Sequence, residues 1–270
     1  MRHNKKLDNL VLCLVFLFLF LPIFILILFS FNTSKLNIMF EGFTLKWYKE
    51  LFNNPMLLEA LKNTLIVAGV STIASTVIGT ISAYGLKKYD FKGKKIINEL
   101  LYIPVVIPEI VLGIALLSVY SLLKLELGMF SLILSHISFS IPFVIISVRS
   151  VLENMDPNLE KAASDLGASK LKTFFYIIIP TLMPGILSGA QLAFTLSLDD
   201  VVISYFTAGP DSNTLPLQIY SMIKTGVTPD VNALITIMLL LIFSVLTLST
   251  VYNLRRMKAE GSFDQPTCKL

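Results

Sequence analysis

Residues 156–181 read DPNLEKAASDLGASKLKTFFYIIIPT, a short charged stretch held between two long apolar runs. Asp156 is a good helix N-cap, and Pro157 suits the first helical position. Leu159, Ala162, Ala163 and Leu166 follow at spacings of three, one and three, which puts them on one helix face. Gly167 is placed to end that helix in the left-handed conformation. Ser169 can cap a second short helix that runs through Leu171 and Phe174 towards Pro180. Between membrane spans, a polar loop of about 153–175 is too short to be a domain. It is either a plain helical hairpin or a surface offered to a partner, and the residues alone leave both open.

The rest of the chain puts that loop in a membrane protein. Hydrophobic residues make up 54% of the 270 and charged residues 15%, against about 25% charged in a soluble domain. Six helices are expected, over about 10–31, 61–86, 97–123, 129–149, 177–206 and 231–254, with the third and fifth broken by prolines. The whole chain reads as one transmembrane domain, all-α and polytopic. The first apolar run, Leu10–Phe31, has 22 residues, longer than the roughly 7–15 of a cleavable signal core. No small-x-small site follows it, so a retained span is expected.

Charge sets the expected threading. Arg2, Lys5 and Lys6, then Lys87, Lys88, Lys92, Lys94 and Lys95, then Arg149, Lys161, Lys170 and Lys172, then Arg255, Arg256, Lys258 and Lys269 put sixteen cations on one side. Lys35, Lys46, Lys49, Lys62, Lys124 and Lys224 put six on the other. The richer side is cytoplasmic by the positive-inside rule, so both termini and the 153–175 loop face the cytoplasm of a bacterial cell membrane. The same bias accounts for the net charge of +4 without a nucleic-acid partner. Cys13 and Cys268 lie far apart in the sequence, one in an apolar run and one in the polar tail. His3 and His136 cannot build a metal site between them. No cofactor is expected, and His136 reads as a hydrogen-bonded packing residue within a span.

Three carboxylates fall inside spans: Glu109, Asp199 and Asp200. An Asp at a helix centre costs about 2.5–3.5 kcal/mol on insertion scales, so each needs a cavity, a partner or an ion. Ser188, Gln191, Thr195 and Asp199 recur at spacings of three, four and four, a continuous polar stripe on span five. Asp200 lies about 100° around, on a second face with Ser197 and Ser204. One carboxylate is expected to face a pathway while the other bonds a neighbouring helix. Pro104 and Pro108 interrupt span three and leave Glu109 at a restarted helix end. There it is either a dipole-stabilised cap or a cation ligand at a broken helix. Unpaired acids favour a cationic solute, and aromatic residues near the outer mouth add cation–π capacity. Trp47 is either an interface anchor or part of that path.

Two outer loops carry further pattern. Thr44 can cap a short interfacial helix, LKWYKELF, with Leu45, Tyr48, Leu51 and Phe52 as its apolar stripe and Pro55 as its end. The loop 207–230, with Gly209-Pro210, Pro216, Tyr220 and Thr228-Pro229, is long enough to meet an external partner. Span two carries Ser71, Ser75, Gly79 and Ala83 at four-residue spacing, a stripe for close helix packing.

KAA at 161–163, Gly167 and IIIP at 177–180 together resemble the EAA loop of ABC-transporter permeases. The family's Glu falls on Lys161, with Glu160 one place earlier. The stretches FTLSLDDVVISYF at 194–206 and TLPLQIYSMIKTGVTPDVNAL at 214–234 are similar to the C-type permease subunits of spermidine/putrescine importers, as are NTL at 63–65 and IPVVIPEIVLGIALL at 103–117. The resemblance implies a type I, MetI-like importer permease fold and a polyamine solute. It implies a second permease subunit, two cytoplasmic ATPase subunits and an extracytoplasmic polyamine-binding protein as partners. It also implies that Glu160, Lys161, Ala162, Ala163, Gly167 and Pro180 belong to the ATPase-coupling segment, and that Asp199, Asp200, Glu109, Trp47 and Thr195 lie along the solute path. A permease for another solute, such as an iron or phosphonate importer, is the alternative, although it has no need of the acidic pair. A membrane enzyme would need a nucleophile and base or metal ligands in its spans, and neither HExxH nor GxSxG occurs. The resemblance also implies that ATP hydrolysis resides in a partner, which agrees with the absence of a GxxxxGK[ST] loop. A scaffold or sensor would leave the acidic pair and the loop without a role.

Overall fold

The computed structural model describes residues 5–35, 39–223, 226 and 228–261, with side chains from residue 9 to 244 within those ranges and at 247. Arg2, His3, Lys224, Cys268 and Lys269 lie outside the described residues. In chain order the elements are α1 (Lys5–Phe29), α2 (Lys46–Phe52), α3 (Pro55–Lys88), α4 (Lys94–Leu100), α5 (Ile103–Val106), α6 (Glu109–Leu122), α7 (Met129–Asn154), α8 (Leu159–Asp165), α9 (Lys170–Thr173), a wide π turn (Phe174–Ile178), α10 (Ile179–Asp199), α11 (Val202–Thr207), α12 (Leu215–Met222) and α13 (Pro229–Gly261).

Among the described residues four helical stretches are long and apolar enough to cross a bilayer: Asn9–Phe29, Pro55–Lys88, Met129–Asn154 and Lys170–Asp199. The third expected span is a bent pair, Lys94–Val106 and Glu109–Leu122, turned by 114° across Pro108. Pro108 supplies neither a backbone N–H nor a helical ψ (134°), so α6 starts afresh at Glu109. The sixth expected span falls on α13, which opens with the apolar stretch Pro229–Ser244. Most of its remaining side chains lie outside the described residues.

The chain divides into two compact units, Met1–Pro55 with Met222–Leu270, and Met56–Ser221. In the first, α13 packs against α1 and α2. Asn32 organises the link from α1 to α2. Its side chain donates to the Met39 carbonyl (2.7 Å) and accepts from the Glu41 amide (2.9 Å). Leu45, not the expected Thr44, is the N-cap of α2 and makes no side-chain cap bond; Thr44, one residue earlier, accepts from the Lys46 amide at 3.1 Å. The buried face of α2 differs from the expected stripe. Trp47 and Leu51 are buried, whereas Leu45 and Phe52 are 59% and 68% exposed.

In the second unit the core is built by α3, α7 and α10 around Ala83, Val144, Ile145, Val148, Leu152, Ile178 and Leu182. The small-residue stripe of α3 is buried throughout, from Ser71 to Ala83. At Gly79 an added Cβ would meet Val144 at 2.7 Å, and at Gly185 it would meet the Ser147 carbonyl oxygen at 2.9 Å. Glycine at these contacts lets α3 and α10 approach α7 closely, the packing expected where apolar burial between helices has no water to escape from.

The fifth span was expected to break at its prolines, and it does not. Pro180 and Pro184 both lie within α10. The ring of Pro180 would crowd the carbonyl four residues earlier, at Tyr176. The backbone answers by widening into the π turn Phe174–Ile178 rather than by stopping. The break comes instead at Asp200, whose ψ of 127° ends α10.

Candidate functional site

A cleft of about 350 Å³ opens where α10 ends, α6 begins and α7 passes. Its walls carry Glu109, Phe139, Phe143, Leu196, Asp199 and Asp200. Glu109 reaches it because Pro108 restarts the helix there, and Asp199 because α10 stops one residue later. All three carboxylates line this one cleft.

They are not equivalent. Asp200 is buried and accepts from the Ile203 amide (3.1 Å), the Ser204 amide (2.7 Å) and the Ser204 hydroxyl (2.7 Å). It caps α11, and its charge faces the positive end of that helix. Asp199 and Glu109 are exposed on this chain and have no hydrogen-bond or ion-pair partner among the described residues. The sequence placed Asp200 on a helix face with Ser197 and Ser204. Its contact with Ser204 is instead a cap across a helix break.

His136 is the hydrogen-bonded packing residue that the sequence indicated, and folding supplies its partners. It is fully buried on α7, with Nδ1 at 2.6 Å from the Ser197 hydroxyl and Nε2 at 3.2 Å from the Ser204 hydroxyl and 3.5 Å from the Asp200 carboxylate. Ser197 is in turn 3.2 Å from Ser71 of α3. One ring therefore ties α7, α10 and α11 together behind the cleft. The signal available in sequence was a lone histidine in an apolar run, which indicates hydrogen bonding without naming its partners. Among the described residues no group of three or more His, Cys, Asp and Glu could hold a metal ion.

Thr195 stands one turn before Asp199 on an exposed face of α10 with Ser188 and Gln191, and donates to the Gln191 carbonyl at 2.9 Å. It does not line the cleft. Trp47 belongs to the other unit, where its ring is buried and its Nε1–H donates to the Asn32 carbonyl at 2.5 Å. That contact anchors the α1–α2 link.

The second site is the loop of α8 and α9. The Asp156 carboxylate accepts from the Asn158 amide at 2.9 Å, and α8 begins at Leu159. Gly167 has φ +81°; its amide donates to the Ser164 carbonyl (2.9 Å), and the Ala168 amide donates to the Ala163 carbonyl (3.0 Å). This pair of bonds is the Schellman C-cap, which needs a left-handed residue at that position. Ser169 caps α9 by accepting from the Lys172 amide at 3.4 Å. Of the expected apolar face only Ala163 is buried; Leu166 is 88% exposed. Leu166 falls on the C-cap, where the chain has already left the helical register. Lys161, Ala162 and Pro180 are exposed. Glu160 turns inward, accepting from the Tyr84 hydroxyl (2.9 Å) and the Lys88 ammonium (2.5 Å).

Asn63 and Thr64 were noted only as part of NTL. Asn63 donates to the Asn213 carbonyl (3.1 Å), and the Thr64 hydroxyl accepts from the Leu215 amide (2.7 Å), so the pair holds the α11–α12 connection against α3.

Residues 75–258 match the family described as the binding-protein-dependent transport system inner membrane component. The chain belongs to that family. It is 46% identical over 212 residues to the spermidine/putrescine transport system permease protein PotC of Escherichia coli (strain K12), covering 78% of this chain and 80% of the relative. It is 38% identical over 237 residues to the putrescine transport system permease protein PotI of the same organism, covering 85% and 84%. A crystal structure of a bacterial ABC transporter involved in the import of the acidic polysaccharide alginate contains a chain of the same fold. The TM-score is 0.70 at 17% identity, covering 95% of this chain and 98% of that one. The all-α, MetI-like permease fold expected from the sequence is therefore the fold observed. This transport-system component is a multi-pass membrane protein, and its relatives are permease proteins rather than enzymes.

Proposed function

We propose that the chain is one permease half of an ATP-driven importer of polyamines such as spermidine and putrescine. The observation that carries this is the cleft lined by Asp199 and Glu109, with no cation among the described residues that line it. A flexible polycation can set separate ammonium groups against separate carboxylates, with the aromatic residues Phe139 and Phe143 in the same walls. The names of the relatives at 46% and 38% identity support the same solute class. In this reading the exposed polar face of α10, ending in Asp199, lines the path shared with a second permease subunit.

The chain acts as a single permease domain with both termini cytoplasmic. The α8–α9 loop docks on an ATPase subunit, one of two, through exposed Lys161, Ala162, Leu166 and Leu171. An extracytoplasmic polyamine-binding protein delivers the solute to the opposite side. ATP hydrolysis resides in the partner. The test is uptake of radiolabelled spermidine and putrescine by the assembled complex in vesicles, with ATP and with a non-hydrolysable analogue. Accumulation should require hydrolysis and be competed by unlabelled polyamines. Accumulation of an iron chelate or an oxyanion with no response to polyamines would replace this solute assignment.

A further inference from the structure

Glu160, one place before the exposed Lys161, does not point away from the protein. Its two carboxylate oxygens are both engaged by α3, one by the Tyr84 hydroxyl at 2.9 Å and the other by Lys88 Nζ at 2.5 Å. Lys88 also donates to the Tyr84 hydroxyl at 2.5 Å and lies 5.0 Å from the centre of its ring. The Lys88 and Glu160 side chains are each 29% exposed, so the pair is partly withdrawn from water. The same tyrosine ring packs at 5.0 Å against Phe174, which opens the π turn leading into α10. Three elements thus meet on one aromatic ring: the end of α3, the short helix α8 and the foot of α10. Helix α8 has seven residues and buries only Ala163 among them, so little else fastens it to the spans.

We infer that Glu160 is a positioning residue, the inward clamp through which movement of α8 is passed to the membrane helices. This rests on the reading of the α8–α9 loop as the ATPase dock. With Glu160 bonded to Lys88 and Tyr84, a displacement of α8 must carry the end of α3 with it. Through Tyr84 on Phe174 it must also load the π turn, a wide turn of a kind found at functional adjustments in helices. Beyond that turn α10 runs unbroken to Asp199 at the cleft. Lys161, exposed beside Glu160, is left to face the partner.

The experiment uses the full complex at matched membrane abundance, with Glu160→Gln, Lys88→Gln, the double variant and the exchange Lys88→Glu with Glu160→Lys. Three quantities are read: ATPase-subunit co-purification, polyamine uptake per ATP hydrolysed, and amide hydrogen exchange over 174–178. Each single variant should keep the ATPase subunit bound and lower uptake per ATP by about fivefold or more, the lower end of a typical coupling. The double variant should be no worse than either single, because both remove one interaction. The exchange should recover uptake to within about twofold, as expected if the pair itself carries the effect. Exchange over 174–178 should quicken in the singles and return in the charge exchange. Additive losses, or loss of ATPase binding in Glu160→Gln with no rescue, would assign Glu160 to the partner and overturn the clamp; unchanged behaviour throughout would also overturn it. If the parent complex takes up no polyamine, the solute assignment fails, and the hydrogen-exchange pattern still decides the clamp. If Gly167→Val transports normally, the docking assignment fails separately.

Discussion

A carboxylate that accepts two amides and a hydroxyl from the helix that follows it has little left to offer a solute, and Asp200 is so placed. Asp199, one residue earlier, ends α10 and lines the cleft. The two should therefore fail differently. Asp199→Asn removes a charge whose attraction for a cation at 4 Å, with an effective dielectric near 20, is about 4 kcal/mol before desolvation. Retaining even about 1.4 kcal/mol of that makes the expected loss tenfold in apparent affinity for polyamine, with normal abundance and assembly. Asp200→Asn replaces one acceptor oxygen with an NH₂ that meets an amide donor. It should cost about 1–3 kcal/mol of stability and appear as lower abundance and an earlier thermal transition. Uptake KM and the melting of the detergent-purified complex separate the two; identical behaviour of both variants would remove the division of roles. The acidic pair was legible in sequence because two adjacent acids in an apolar run are costly. Which one is free was not, because 100° of helix rotation assumes a helix, and α10 stops between them.

At the level of elements, the α8 C-cap depends on one backbone conformation. Nothing lies within 4 Å of the place a Cβ would take at Gly167, so a larger side chain meets strain rather than a clash. The left-handed conformation at φ +81° costs an ordinary residue roughly 1–2 kcal/mol, and Asn less. Gly167→Val should insert normally, weaken ATPase co-purification and abolish uptake, with Gly167→Asn in between. Normal uptake by the valine variant would show that the turn is not used for docking. The end of α8 could be read from sequence because Gly and spacing are local signals; its start could not, since Asn158 rather than Asp156 is the N-cap and the helix opens at Leu159. The clamp on Glu160 could not, since Lys88 lies 72 residues away and only folding brings it near. Nor could the course of span five. Two prolines ordinarily stop a helix, yet here a π turn absorbs the first, and the stop falls at Asp200, where no Pro or Gly marks it.

For the molecule as a whole, hydropathy places the chain in a membrane and the cation bias sets the orientation proposed for it. Sixteen Lys and Arg residues fall on the side proposed as cytoplasmic and six on the other. Moving any one of them through the bilayer centre costs about 2.5–3.5 kcal/mol on insertion scales, so the bias is kept once the chain is threaded. Lys92 lies exposed between α3 and α4, and Lys172 exposed in α9, both on the cation-rich side. Lys46 opens α2, with 58% of its side chain exposed, and Lys124 follows α6; both are on the poorer side. In a background with Cys13 and Cys268 changed to Ser, single cysteines at these four positions can be offered a membrane-impermeant maleimide in intact spheroplasts. Lys46→Cys and Lys124→Cys should label at once. Lys92→Cys and Lys172→Cys should label only after the membrane is opened. No one substitution changes enough charge to reverse the bias, so the pattern reports the parent topology. The converse pattern would put the α8–α9 loop outside, where no ATP is available, and the docking role proposed for it would fall with the orientation.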